Sequence, residues 1–131
     1  MDLADYFENV RGTGVLATAD REGRVNVALY ARPHVMEDGT VAFIMADRLT
    51  RQNLEHNPHA AYLFLEEGTE RAGIRLSLTK VRESENPELI SRLRRRSYPP
   101  DDESRTGTLR LVHFTLEHQR PLVGALPEPT G

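Results

Sequence analysis

GVLATADREGRVNVALYARPHVMEDGTVAFIMADRLTRQNLEHNP, residues 14–58, holds three strand-like runs, two polar turns and the start of a helix. Thr13 to Ala19 is small and apolar, and Asp20-Arg21-Glu22-Gly23 has the chemistry of a hairpin loop. The next run, Arg24 to Met36, alternates along a strand. Val25, Val27, Leu29 and Ala31 fall on one face, expected to point into the core, and Asn26, Ala28, Tyr30 and Arg32 fall on the other. Pro33 removes a ladder donor, which calls for a bulge or a sheet edge there. Glu37-Asp38-Gly39 closes a second hairpin, and Thr40 to Ala46 is the third strand. From Asp47 the pattern turns helical, with Leu49 and Leu54 as apolar positions and Thr50 as a candidate N-cap over Arg51-Gln52-Asn53. Pro58 ends that helix.

Working outward, Leu3, Tyr6, Phe7 and Val10 recur at helical spacing, with Asp2 as an N-cap and Gly12 as the stop. Beyond Pro58, Ala60 to Leu65 is a fourth strand and Ile74 to Val81 an alternating fifth. Asn86-Pro87 starts a helix that carries Leu89, Ile90 and Leu93 on one side. Ser97 to Gly107 reads as a surface loop, and Leu109 to Leu116 as a sixth strand. Sequential antiparallel strands joined by tight turns favour a mainly β (α+β) fold, a six-stranded antiparallel barrel, closed or partly split, with short flanking helices; the six-stranded antiparallel split β-barrel is the form that the family resemblance given below implies. One domain is expected over residues 1–126, with a disordered Pro-rich end over residues 127–131.

Composition narrows the function classes. The chain has 131 residues and no cysteine, which removes disulfides, thiolate metal sites and a cysteine nucleophile. At 38% apolar and 28% charged it is rather polar, so part of its apolar burial is expected at a homodimer interface. No stretch approaches the length of a membrane span and the N-terminus lacks a signal pattern, so a cytoplasmic protein is expected. The net charge of −3 gives no overall field for nucleic acid. Sixteen of the 17 basic residues are Arg, and Arg92, Arg94, Arg95 and Arg96 form the densest patch. Neighbouring Glu and Asp residues neutralise that patch locally.

The five histidines do not assemble a metal site by spacing, because Pro58 interrupts the run between His56 and His59. No metal is expected. No Ser/His/Asp triad, carboxylate pair or Gly-rich nucleotide loop stands out either. The chemistry therefore rests with a bound cofactor, or there is none. Arg48 to Asn53 supplies the three features that hold a phosphate: a helix start, a Thr hydroxyl and Arg side chains. Taken alone, Thr50 is also an ordinary cap and the arginines ordinary surface residues.

The ordered run TADREGRVNVALYARPHVMEDGTVAFIMADRLTRQNLEHNPHAAYLF, residues 18–64, resembles the FMN-binding split-barrel family that includes pyridoxamine 5'-phosphate oxidase and small flavin proteins. The resemblance implies a homodimer with FMN in the grooves between subunits. It implies that the flavin ring lies along Ala28, Leu29, Tyr30, Ala31 and Arg32 with Phe43 and Ile44, and that the phosphate meets Arg48, Thr50 and Arg51 with Asn53 nearby. Many members carry Lys or Arg directly before the position of Thr50, where this chain has Leu49. The chain also has no Trp and lacks the Arg-rich C-terminal substrate motif of true pyridoxamine phosphate oxidases, so oxidation of vitamin B6 phosphates is not expected. The expected activity is that of a flavin-dependent oxidoreductase or a small electron-transfer protein with a small-molecule or redox-protein partner. Related barrels bind the deazaflavin coenzyme or haem, and a cofactor-free interaction module using the Arg92 to Arg96 patch is the alternative from another class.

Overall fold

A computed structural model describes residues 2–69, 71–97 and 109–124, with the side chains of residues 95–97 outside that set. The expected tail at residues 127–131, most of the Ser97 to Gly107 loop and the side chains of Arg95 and Arg96 lie outside the described residues.

Helix α1 covers Leu3–Asn9. It starts where expected: the Asp2 carboxylate accepts from the N–H groups of Ala4 (2.9 Å) and Asp5 (3.4 Å). Phe7, fully buried, seats the helix against Tyr62 and Phe64. Its C-terminus is closed by a side chain from far along the sequence. Arg32 Nη1 donates to the carbonyls of Phe7 at 2.7 Å and Val10 at 3.1 Å, filling acceptors that the last turn leaves open.

The strands are β1 (Gly12–Ala19), β2 (Val25–Leu29), β3 (His34–Val35), β4 (Val41–Met45), β5 (His59–Glu66), β6 (Gly73–Ser84) and β7 (Arg110–Pro121), with α2 (Leu49–His56) and α3 (Pro87–Ser97) between them. They form one antiparallel sheet in the order β2-β1-β5-β6-β7-β4-β3. The two hairpin turns place Gly23 at φ 85° and Gly39 at φ 87°, backbone that residues with a side chain rarely adopt. The inner face carries Leu16, Phe43, Tyr62, Phe64, Leu76, Leu78, Val112 and Phe114 in one core. A smaller cluster, Ala42, Ile44, Ile90 and Leu111, forms where α3 covers the other side of β4 and β7.

The split-barrel expectation holds, with seven strands in place of six. The long second run breaks around Pro33, which is buried and outside both strands, so its end becomes the two-residue edge strand β3. A further correction concerns which face of β2 points inward. Val25, Val27 and Leu29 are 82%, 65% and 74% exposed. Pairing explains the reversal: Val27 lies opposite Ala17 and Leu29 opposite Val15, while Ala28 lies opposite the buried Leu16. Alternation defines two faces but does not say which is inside. Ala31 falls just beyond β2 and is half-buried.

The sheet also depends on a close approach at Gly14. Tyr62 Oη donates to the Tyr30 carbonyl at 3.1 Å, and a Cβ at position 14 would land on both of those oxygens. The contact holds the exit of β2 against the core.

Candidate functional site

β2 is an edge strand, and a cleft of about 330 Å3 runs along it. One wall is Asn26 to Tyr30 of β2. Ile44 and Ala46 at the end of β4, together with Leu109 before β7, contribute apolar surface. Arg48, Leu49 and Thr50 at the start of α2 complete the lining. The Tyr30 N–H bonds to the Gly14 carbonyl at 3.0 Å. Antiparallel alternation then turns the N–H and C=O groups of Val27 and Leu29 away from β1, toward the open edge. The cleft thus combines apolar side chains with a row of backbone donors and acceptors.

The α2 end has a different character. Arg48 is the N-cap residue and makes no side-chain cap bond, which corrects the expectation that Thr50 caps the helix. Thr50 lies inside the first turn, 4% exposed, and among the described residues its hydroxyl has no hydrogen-bond partner. Gln52 N–H makes the first bond back to the Arg48 carbonyl, so the N–H groups of Leu49, Thr50 and Arg51 come before it. The exposed Arg48 guanidinium has no ion pair among the described residues. A buried orphan hydroxyl, open N–H groups and an unpaired Arg converge here, which is the donor set for a phosphate or carboxylate.

Of the residues named from the sequence, Ala28, Leu29, Tyr30, Ile44, Arg48 and Thr50 line this cleft. Ala31, Arg32, Phe43, Arg51 and Asn53 are not among its lining residues. Arg32 is engaged at the end of α1. Phe43, 2% exposed, packs its ring against Tyr30, Tyr62 and Phe114. Asn53 is buried and tied to Thr18. Arg51 donates to Glu83 at 2.9 Å and to Asp47 at 3.0 Å, and its side chain is 12% exposed. The bond that Arg51 donates to Glu83 raises the Arg51 pKa above its ordinary value against the opposing effect of burial.

Asn26, Val27, Ala46 and Leu109 were not anticipated. The first two continue the strand already singled out, while nothing local in the sequence points to Leu109. The histidines lie elsewhere: His113 is buried between Thr40 (Nδ1, 3.0 Å) and Ser84 (Nε2, 3.1 Å), and His56 Nδ1 meets Arg21 at 2.8 Å. His34 is 6% exposed on β3.

Comparison with known proteins supports the family and the fold. The family profile for pyridoxamine 5'-phosphate oxidase matches residues 3–121. An FMN-binding protein of Syntrophomonas wolfei superposes with a TM-score of 0.74 at 16% identity, covering 95% of this chain and 86% of its own. An F420 reductase gives a TM-score of 0.64 at 15% identity over 82% of this chain and 88% of its own. The haem storage protein HutZ of Vibrio cholerae gives 0.64 at 23% identity, with 89% of each chain covered. No protein of curated function matches in sequence. At these identities the three structures speak for the fold.

Proposed function

The chain belongs to the pyridoxamine 5'-phosphate oxidase family, and from that premise we propose that it is a homodimeric FMN-binding flavoprotein, an oxidoreductase or electron-transfer protein. One observation carries this reading: the buried Thr50 hydroxyl and the exposed Arg48 guanidinium, neither with a partner among the described residues, lie together at the open start of α2, closing one end of an apolar cleft. These residues fit FMN. Its phosphate would be held by Arg48, Thr50 and the open N–H groups of α2. Its ring would lie on the Val27 to Tyr30 wall, with the free backbone groups of Val27 and Leu29 bonding the polar edge of the ring. Ile44 and Leu109 would exclude water from the ring. Bound there, FMN would supply two-electron chemistry that no side chain of this cleft offers.

The homodimer rests on the outward face of β2, β1 and β5. Val27, Ala17 and Ala61 stand in one row across these strands, and Leu29, Val15 and Leu63 in the next. Leu63 is 41% exposed and Leu29 74%. An apolar surface made by three adjacent strands suits a second copy, whose approach would also deepen the cleft. The haem alternative has less support, since none of the five histidines lines the cleft to serve as an axial ligand.

Absorbance of the purified protein before and after incubation with FMN tests the proposal, followed by reduction with NADH and NADPH. A flavin spectrum that persists through gel filtration is expected. A colourless protein that takes up no FMN overturns it.

A further inference from the structure

Two residues that line the cleft, Thr50 and Leu109, come from distant parts of the chain. Their sequence neighbours, Arg51 and Arg110, approach the same carboxylate. Glu83 Oε1 lies 2.9 Å from Arg51 Nη2 and Glu83 Oε2 accepts from Lys80 Nζ at 2.8 Å, whereas Arg110 comes only to 3.6 Å of Glu83 and pairs at 2.8 Å with Glu85. Glu83 is 17% exposed and is not among the lining residues. The other acidic partners of Arg51 are Asp47 and Glu55, which are 60% and 46% exposed and lie just before α2 and within it. Among the described residues, Glu83 is therefore the acidic contact that ties the start of α2 to the sheet.

We infer that Glu83 is a positioning residue for the anion-binding end of the cleft. Through Arg51 it fixes where the Thr50 hydroxyl and the open N–H groups of α2 stand, without touching the ligand itself. The inference rests on the FMN reading of the same cleft. Charge-assisted bonds to a phosphate depend on the distance and angle at which the donors are held. The apolar contacts of a ring on β2 tolerate such a shift, because β2 is held separately by β1 and by the Tyr62 to Tyr30 bond.

The test compares FMN with riboflavin, which carries the same ring without the phosphate. Dissociation constants for both are measured by flavin fluorescence on the apo-protein of wild type, E83Q and E83D. FMN binding is expected to weaken roughly ten-fold in E83Q, the scale of one charge-assisted hydrogen bond, while riboflavin binding stays within about two-fold. E83D, which keeps the charge on a shorter arm, gives a smaller selective loss and serves if E83Q folds poorly. A purely structural role would lower the folded fraction but leave the FMN to riboflavin ratio unchanged, and that result overturns the inference. So does tighter FMN binding, which would mean that Glu83 only cancels the charge of Arg51. Wild type that binds neither flavin overturns the cofactor reading itself and the inference with it.

Discussion

Asn53 Nδ2 donates to Thr18 Oγ1 at 3.1 Å inside the protein, both residues being no more than 4% exposed. A residue expected beside the phosphate instead pins α2 to β1. Asn53→Ala leaves the Thr18 hydroxyl buried with nothing to bond, at a cost of about 1–3 kcal/mol. Urea denaturation should show a lower midpoint with little change in slope.

Arg48 is expected to matter more directly to the ligand than Arg51. Arg48→Ala removes a cation of the cleft that has no ion pair among the described residues and should weaken FMN binding roughly ten- to hundred-fold, the range for a charged hydrogen bond. Riboflavin affinity should not move. Thr50→Val, which keeps the shape and deletes the hydroxyl, should show the same selectivity with a smaller loss, and equilibrium titration of both flavins measures each change.

The apolar face of β2, β1 and β5 predicts a specific failure of assembly. Val27→Glu places a charge at a position that is 65% exposed in the free chain but would be buried in a face-to-face dimer. Sedimentation should show a dimer for wild type and a monomer for the variant. A wild-type monomer would remove the role given to this face.

His113 sets an expectation for pH. Burial, aided by the Arg82 charge, holds its pKa below the ordinary 6.5, with Asp38 opposing. When the protein unfolds, His113 regains that ordinary value and binds a proton more readily than in the fold. Stability is thus unaffected by this group well above pH 6.5 and falls as pH drops from there toward the folded pKa. Thermal melts between pH 8 and pH 5 should show the decline, and H113Q should flatten it. Glu83 acts in a lower window: burial pushes its carboxyl up, but bonds from Lys80 and Arg51 prevail and hold it below 4.5, so its contribution is lost only in stronger acid.

The part of the fold that was legible in the sequence is the part with local causes. Asp20 to Gly23 and Glu37 to Gly39 announce turns because their chemistry acts within a few residues, and Asp2 and Pro58 bound their helices for the same reason. The inward face of β2 was not legible, since Val25, Val27 and Leu29 are equally apolar whether they meet a core or another subunit. Thr50 and Arg48 could be placed at the cleft because a helix start is a local feature. The displacement of Arg51 could not, because its partner Glu83 lies 32 positions away and on a different element.

Gly14 has no part in the cleft lining, yet any side chain there would meet the Tyr62 hydroxyl and the Tyr30 carbonyl. In a saturation-mutagenesis library scored by bound colour, position 14 would be as intolerant as Arg48. Its failures would come from chains that lose their shape, and those of Arg48 from well-formed chains that stay pale. Separating the two groups by solubility before scoring colour would keep a packing requirement from being read as a ligand contact.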